Sequence, residues 1–169
     1  MTENTYLRLI LMRHAKSSWD DPCMDDHDRP LNGRGRKSAT AVGKWLRTHG
    51  YVPDQILSST AQRTVETAHG LGLNDVPTHL IPPLYMAGPD RILAQLHRAQ
   101  GRCILMLGHN PGIGWLAEML VRAPPLHGQF GDYPTGATLV LDFEAIEWAT
   151  VSRGTGIVAA FITPRELTD

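Results

Sequence analysis

The sequence predicts an α/β fold, a three-layer α/β/α sandwich whose sheet is mostly parallel with an antiparallel edge. Short apolar runs alternate along the chain with segments whose apolar residues recur at helical spacing, a pattern typical of parallel strands joined by helices. The last two apolar runs, at 138–143 and 157–162, have only a turn region between them and are expected to be antiparallel. With 169 residues, the chain is expected to form a single domain over 1–169.

Four apolar runs predict the parallel strands. The first, Leu7 to Arg13, is too short for a core helix and is predicted as a buried strand. The third is the weakest, and Pro82-Pro83 ends it. The other expected spans are 55–58, 78–81 and 103–107.

Four segments at helical spacing predict the helices. Asn32 offers an N-cap to the first, and Gly50 ends it. Pro111 suits the first turn of the fourth. The second is expected to begin at Ser59 or Thr60. The expected spans are 32–50, 59–71, 90–99 and 111–120, with loops at 18–30 and 123–134.

Composition excludes several classes of protein. Sixteen basic and seventeen acidic residues give a net charge of −1, so there is no electrostatic reason to expect nucleic acid or a membrane as a partner. Two cysteines, Cys23 and Cys103, cannot form a disulfide framework or a four-cysteine metal site. The N-terminus carries an acid and no basic segment, and the apolar run behind it is too short for a signal sequence. A cytoplasmic location is expected.

Three predicted strand ends carry groups that suit phosphate chemistry. Arg13 and His14 follow the first strand, Arg63 lies in the first turn of the helix after the second, and His109 follows the fourth. Ligands of open α/β sheets bind at the carboxyl ends of the strands. Two arginines and two histidines meeting there would form a cationic pocket for a tetrahedral dianion. For Arg13-His14 taken alone, a capped sheet edge with a histidine satisfied in a turn is equally compatible.

No cofactor or metal site is indicated. The sequence has no lysine-bearing glycine loop, and its acids and histidines lack the spacing of metal ligands. Gly33-Arg34-Gly35 is half of a glycine fingerprint inside a helical pattern, so close helix packing is its expected role. The remaining histidines are expected at the surface or in the core: His27, His49, His69, His79, His97 and His127.

Four motifs resemble those of the histidine phosphatase superfamily, which includes the phosphoglycerate mutases. In chain order they read RHAKS at 13–17, PLNGRG at 30–35, SSTAQRTVET at 58–67 and GHNP at 108–111. The short length, KSSWD at 16–20 and DRPL at 28–31 are most similar to the SixA-type phosphohistidine phosphatases. The resemblance implies a phosphoglycerate mutase-like fold.

The resemblance also implies catalytic roles. His14 would be the nucleophile that becomes phosphorylated, and Arg13 and Arg63 would clamp the phosphoryl oxygens. His109 would donate a hydrogen bond to phosphate as the imidazolium cation. Because His14 must be neutral at its attacking nitrogen, its other ring nitrogen is expected to donate to a backbone carbonyl.

Several residues near these motifs are secondary candidates. Ser17 and Asn110 are expected to bind phosphate through hydroxyl or backbone contacts. Lys16 is equally compatible with a charge at the pocket rim and with a solvated lysine. The segment 133–136 could line the substrate mouth, although a plain loop is the preferred interpretation.

One departure from the superfamily pattern bears on the substrate. Many members carry a carboxylic acid near the third strand, whereas this chain has IPPLYMA at 81–87. Tyr85 is a poor acid near neutral pH. Asp20, Asp26 and Asp28 are fallback acids, each more typical of a solvated or structural carboxylate. The role of Asp20 stays open, since a carboxylate in contact with phosphate would repel it.

The predicted function is that of a phosphatase, independent of metal and cofactor, that works through phosphohistidine at His14. A phosphorylated protein histidine is the favoured substrate. Two alternatives stay open, a small-molecule phosphomonoesterase and a non-catalytic phosphate-binding module. A pure binding module would need the arginines but no nucleophile.

Overall fold

The computed structural model describes residues 6–168 and contains a six-stranded sheet in the order β3-β2-β4-β1-β5-β6. The strands are β1 (Tyr6–Arg13), β2 (Gln55–Ser58), β3 (Thr78–Leu80), β4 (Cys103–Gly108), β5 (Thr138–Glu144) and β6 (Ile157–Ile162). The helices are α1 (Gly33–Thr48), α2 (Gln62–Gly70), α3 (Pro89–His97), α4 (Gly112–Leu120) and α5 (Arg165–Thr168). Short 3₁₀ turns lie at Asp26–Asp28, Pro82–Leu84 and Trp148–Thr150.

β1 lies between β4, its parallel neighbour, and β5, which is antiparallel to it. β2 and β3 extend the parallel part, while β6 pairs antiparallel with β5. Arg13 is in register with Gly108, and Ser58 with Leu107. The residues that follow β1, β2 and β4 therefore meet at one edge of the sheet. The predicted fold class is confirmed.

Side chains of β1 enter the core on both faces of the sheet. Leu9 and Leu11 pack in the cluster that includes residues of α3 and α4, whereas Ile10 and Met12 pack with those of α1 and α2. All four have no exposed surface. Fully burying such side chains stabilises a fold by about 1.5–3 kcal/mol each. The core therefore fixes the position at which β1 ends.

α2 begins later than predicted, at Gln62 instead of Ser59 or Thr60. Ala61 is extended, with ψ 144°, and the hydroxyl of Thr64 donates to the carbonyl oxygens of Ser59 and Ala61 at 2.8 Å each. This side-chain cap occupies the turn that the periodicity assigned to the helix.

Other boundaries also differ from the sequence pattern. α4 begins at Gly112, so Pro111 precedes the helix instead of lying in its first turn. The helix α5 was not predicted, because four residues carry no measurable periodicity. Within residues 6–168, no helix has the length and apolar character needed to cross a membrane.

The start of α1 is as predicted. The Asn32 side chain accepts a hydrogen bond from the Gly35 amide at 2.8 Å. The predicted close packing of Gly35 is confirmed, since a Cβ there would lie 2.0 Å from the carbonyl oxygen of Lys16. The first turn of α1 thus packs closely on the backbone that follows β1.

Candidate active site

A pocket of about 350 Å³ opens at the carboxyl ends of β1 and β4. The four residues predicted as catalytic, Arg13, His14, Arg63 and His109, all line it. The other lining residues are Lys16, Ser17, Trp19, Asp26, Arg29, Met86, Asn110 and Thr135.

His14 is buried directly after β1, with 6% of its surface exposed. Its Nδ1 lies 2.6 Å from the carbonyl oxygen of Ala15. Because a carbonyl oxygen only accepts, Nδ1 carries the proton and Nε2 has a free electron pair. Burial, and to a smaller extent the charges of Arg13 and Arg63, lower the pKa of His14 to about 4, although the hydrogen bond to Ala15 opposes this shift. The predicted backbone contact is confirmed, and the imidazole is neutral at pH 7.

His109 faces His14, with the ring centroids 5.3 Å apart. Its Nε2 lies 2.8 Å from the hydroxyl of Ser59, while Nδ1 is buried without a hydrogen-bond partner within residues 6–168. Burial first, and then the proximity of His14 and Arg63, lower the pKa of His109 to about 3. His109 is therefore neutral at pH 7 in the protein by itself, and its expected role as an imidazolium cation on bound phosphate stays a prediction.

The two arginines offer unused N–H groups. Arg63 is 2% exposed and donates to Asp26 twice, from Nη1 to the backbone oxygen at 2.7 Å and from Nη2 to the carboxylate at 3.0 Å. Arg13 donates to the carbonyl oxygen of Tyr133 at 3.2 Å. Both Nε atoms are buried and unpartnered in the described chain. Burial and the charge of Arg63 lower the pKa of Arg13. An anion between the two guanidinium groups would relieve this repulsion.

Asp26 is the one fallback acid that the structure brings to the pocket. Its carboxylate accepts hydrogen bonds from Tyr85, Arg63 and Arg29. The Tyr85 hydrogen bond and the two arginines hold the pKa of Asp26 well below its usual range. Burial and the neighbouring Asp26 raise the pKa of Tyr85. Neither group can deliver a proton readily at neutral pH.

Asp20 and Asp28 lie outside the pocket. Both side chains are exposed, and Asp28 lies 3.7 Å from the imidazole of His27. The question of repulsion between Asp20 and phosphate therefore does not arise in this structure.

The secondary candidates Ser17 and Asn110 line the pocket, but their side chains already have partners. Ser17 accepts from Arg29 at 2.8 Å. The Asn110 amide donates to the carbonyl oxygens of Asp132 and Tyr133, and its oxygen accepts from the Gly114 amide. The Asn110 side chain therefore positions α4 and the loop before β5, and it is not free to bind phosphate.

The segment 133–136 is more than a plain loop. Thr135 lines the pocket, and the amide of Gly136 donates to the carbonyl oxygen of His14 at 2.9 Å. Tyr133 is fully buried and donates its hydroxyl proton to the carbonyl oxygen of Leu11. The preferred interpretation from the sequence is wrong here, and this segment forms part of the pocket wall.

Sequence reasoning missed Arg29 and Trp19. Arg29 is 7% exposed and pairs with Asp26 at 3.1 Å. Its guanidinium lies 3.5 Å from the centroid of the Trp19 ring, which is itself 75% exposed at the pocket mouth. The available signal was a single arginine following a run of aspartates in the loop 18–30.

No group of three or more His, Cys, Asp or Glu side chains within residues 6–168 is arranged to hold a metal ion. Independence from metal and cofactor stays a prediction, as do a cytoplasmic location and the absence of nucleic-acid and membrane partners.

Comparison with known proteins agrees with this geometry. The model of the histidine phosphatase superfamily, branch 1, matches residues 9–84. A solved structure provisionally classed as the phosphohistidine phosphatase SixA of Nakamurella multipartitia is 31% identical, with a TM-score of 0.83, and the match covers 94% of this chain and 96% of that one. The chain belongs to the histidine phosphatase superfamily. The SixA-like resemblance predicted from the motifs is confirmed.

Sequence relatives of this superfamily member include uncharacterized proteins. One from Mycobacterium tuberculosis (strain ATCC 25618 / H37Rv) is 34% identical over 161 residues, which cover 91% of this chain and 100% of the relative. A chloroplastic protein of Arabidopsis thaliana is 39% identical over 127 residues, 67% of this chain. The match spans 58% of that longer relative.

Proposed function

We propose that the chain is a phosphatase, independent of metal and cofactor, that acts through a phosphohistidine at His14, with a protein phosphohistidine as its substrate. The hydrogen bond from His14 Nδ1 to the Ala15 carbonyl carries the proposal. It orients the ring and leaves Nε2 unprotonated, as a nucleophile requires. A module that only bound phosphate would have no need of a neutral, oriented imidazole beside two arginines.

The proposed reaction has two steps. In the first, Nε2 of His14 forms a bond to phosphorus as the P–N bond of the substrate breaks. The other nitrogen of the substrate ring carries a proton, so the electron pair of the broken bond leaves with a neutral imidazole. In the second, water attacks phosphorus as the P–Nε2 bond breaks, the electron pair returns to Nε2 of His14, and the protons of the water leave with inorganic phosphate. Arg13 and Arg63 stabilise the charge on the phosphoryl oxygens in both steps.

His109 is assigned to the same oxygens as a neutral donor. The Ser59 hydroxyl already accepts from the Ala61 amide at 3.3 Å, so its own proton is available to His109 Nε2 at 2.8 Å. That arrangement places the remaining ring proton of His109 on Nδ1, the buried atom without a partner. Bound phosphate would raise the pKa of His109, because an anion favours the charged ring.

The preference for phosphohistidine rests on the missing proton donor. An alkoxide leaving group is very basic and needs a proton as the bond breaks, yet Asp26 is ionised and the pKa of Tyr85 is raised. Imidazole is a far weaker base and needs less help to depart. A small-molecule phosphomonoesterase remains the alternative that a substrate panel would test.

Trapping the phosphorylated enzyme tests the proposal. Rapid quench with a labelled phosphoramidate should give acid-labile, base-stable label on the wild type and on His79→Ala, a control that removes an exposed imidazole. His14→Ala should give no label and no turnover while keeping its fold. Label that persists in His14→Ala would exclude this nucleophile, and a wild type that binds phosphate without turnover would establish the binding module.

A further inference from the structure

A second cavity, here called the basic groove, opens beside the catalytic pocket. Among the described residues, its basic lining side chains are Lys16, Arg34, Lys37 and Arg165, and no carboxylate lines it. Its volume is about 280 Å³. Lys16 and Thr135 line both cavities, so the groove continues directly from the phosphoryl site.

Two glycines bring the walls of the basic groove together. Gly35 lets the first turn of α1, with Arg34, pack on the backbone of Lys16, where a Cβ would clash with the Lys16 carbonyl. Gly136 has φ +77°, and a Cβ there would lie 2.4 Å from Cγ of Pro164, the residue before Arg165. Three separate segments, the end of β1, the start of α1 and the start of α5, therefore converge with close backbone packing. The groove is a built feature and not a chance grouping of surface lysines.

Three cations of the basic groove carry the argument for anion binding. Lys16, Arg34 and Lys37 are exposed, and none forms an ion pair within residues 6–168. Because the whole chain has a net charge of −1, this concentration of cations is local. Such a surface attracts anions to the entrance of the site.

We propose that the basic groove binds a second anionic group of the substrate, next to the phosphoryl group. This inference rests on the proposed phosphatase function. The anionic group would be carboxylates that flank a phosphohistidine in a protein, or a second phosphate on a small molecule, since both offer oxygens to the same cations. The groove would thereby select substrates that carry negative charge beyond the scissile phosphate.

The mouth of the catalytic pocket has a different lining on the side away from the basic groove. Trp19 and Met86 line the pocket but not the groove, and they are 75% and 55% exposed. Apolar surface at one part of the mouth and cations at another distinguish the two directions in which a substrate can extend. The anionic part is expected on the side of Lys16.

Paired peptides test the basic groove. Wild-type kcat/KM should be about twofold to thirtyfold higher for a phosphohistidine peptide flanked by glutamates than for one flanked by glutamines, the effect of two exposed ion pairs. The double variant Arg34→Gln/Lys37→Gln should lose that preference and keep its rate on the glutamine peptide. The control Lys44→Gln/Arg153→Gln removes two exposed charges that line neither cavity and should retain it.

Two further arms separate the possible outcomes. A small bisphosphate compared with its monophosphate shows whether a second phosphate is the preferred anion. Calorimetry with phosphonate analogues of the two peptides measures binding without turnover, so failure of the phosphatase function would leave the binding preference intact. A preference lost only in Arg34→Gln/Lys37→Gln, in any arm, supports the groove. Equal binding and rates for all pairs, or a preference that survives in that variant, would overturn the proposal.

Discussion

The catalytic pocket has two halves that are positioned by different means. The sheet half consists of Arg13, the last residue of β1, and of His14 and His109, which directly follow β1 and β4. The residues Leu9, Ile10, Leu11 and Met12 of β1 and Ile104, Leu105, Met106 and Leu107 of β4 have no exposed surface. The loop half consists of Asp26 and Arg29, held mainly by hydrogen bonds and ion pairs between side chains around a 3₁₀ turn. The Asp26 side chain is 47% exposed, whereas His14 is 6% exposed.

This contrast separates two chemical tasks. The sheet half keeps imidazoles neutral, because burial beside arginines disfavours a second positive charge. The loop half keeps the carboxylate of Asp26 ionised, and Asp26 in turn holds Arg63 in place through two hydrogen bonds. A neutral imidazole and arginines suited to bind an anion are thus present together, while neither Asp26 nor Tyr85, the two candidate acids in the described part of the pocket, can readily supply a proton.

The largest expected effect concerns the leaving group. Because neither half supplies an acid, kcat/KM should fall about 10²–10⁴-fold from phosphohistidine and aryl phosphates to alkyl phosphates, the range that general acid catalysis contributes. A series of substrates with increasing leaving-group pKa, measured at one pH, gives the slope. Alkyl phosphates hydrolysed as fast as phosphohistidine would reveal a hidden acid in the loop half.

Arg63 joins the two halves, and its loss should have the next largest effect. Arg63→Ala should lower kcat/KM about 10²–10³-fold, as removal of one transition-state donor does in other enzymes. Arg63→Lys should restore little of this, because lysine cannot donate from a planar fork. Steady-state kinetics compare both with Arg91→Ala, an exposed arginine outside the pocket. Near-wild-type rates in Arg63→Ala would show that Arg63 does not bind the phosphoryl group.

The sheet half was predictable from the sequence because its geometry follows from general rules. The apolar run before Arg13 indicates a buried strand, and parallel strands place their carboxyl ends at one edge. His14, Arg63 and His109 could therefore be brought together without coordinates. The His14 contact with the Ala15 carbonyl followed from the chemistry required of a nucleophile.

The loop half was not predictable in the same way. Its 18–30 segment has no periodicity, so Asp20, Asp26 and Asp28 were equivalent candidates until the fold placed Asp26 against Arg63. The contact between Arg29 and Trp19 has no sequence pattern that indicates it. The pKa of His109 likewise depends on burial, which the GHNP motif does not reveal.

The sheet half, which contains the two buried histidines, should make the stability of the protein sensitive to acid. The pKa values of His14 and His109 are lowered from 6.5 to about 4 and about 3, so between pH 6.5 and 4 the unfolded chain binds protons that the folded protein does not. The free energy of unfolding should therefore decrease as the pH is lowered from 7 to 5, by about 2 kcal/mol for each histidine. Urea denaturation at pH 7 and pH 5 measures this change. His14→Asn should show a smaller change than the wild type, and His79→Gln an equal one; equal changes in all three would refute the account.

The smallest expected effect is that of Asp26→Asn. Asparagine keeps an oxygen that can accept from Arg63, but it loses the charge and turns its amide NH2 toward Arg29. The kcat/KM should stay within about tenfold of the wild type, the lower end of the contribution of one charged hydrogen bond. The leaving-group slope should not change, because an ionised Asp26 donates no proton. If Asp26 were the acid, the variant would lose far more rate on alkyl phosphates than on phosphohistidine, and its slope would steepen. Measuring the slope in both proteins therefore tests whether the loop half positions Arg63 or takes part in proton transfer.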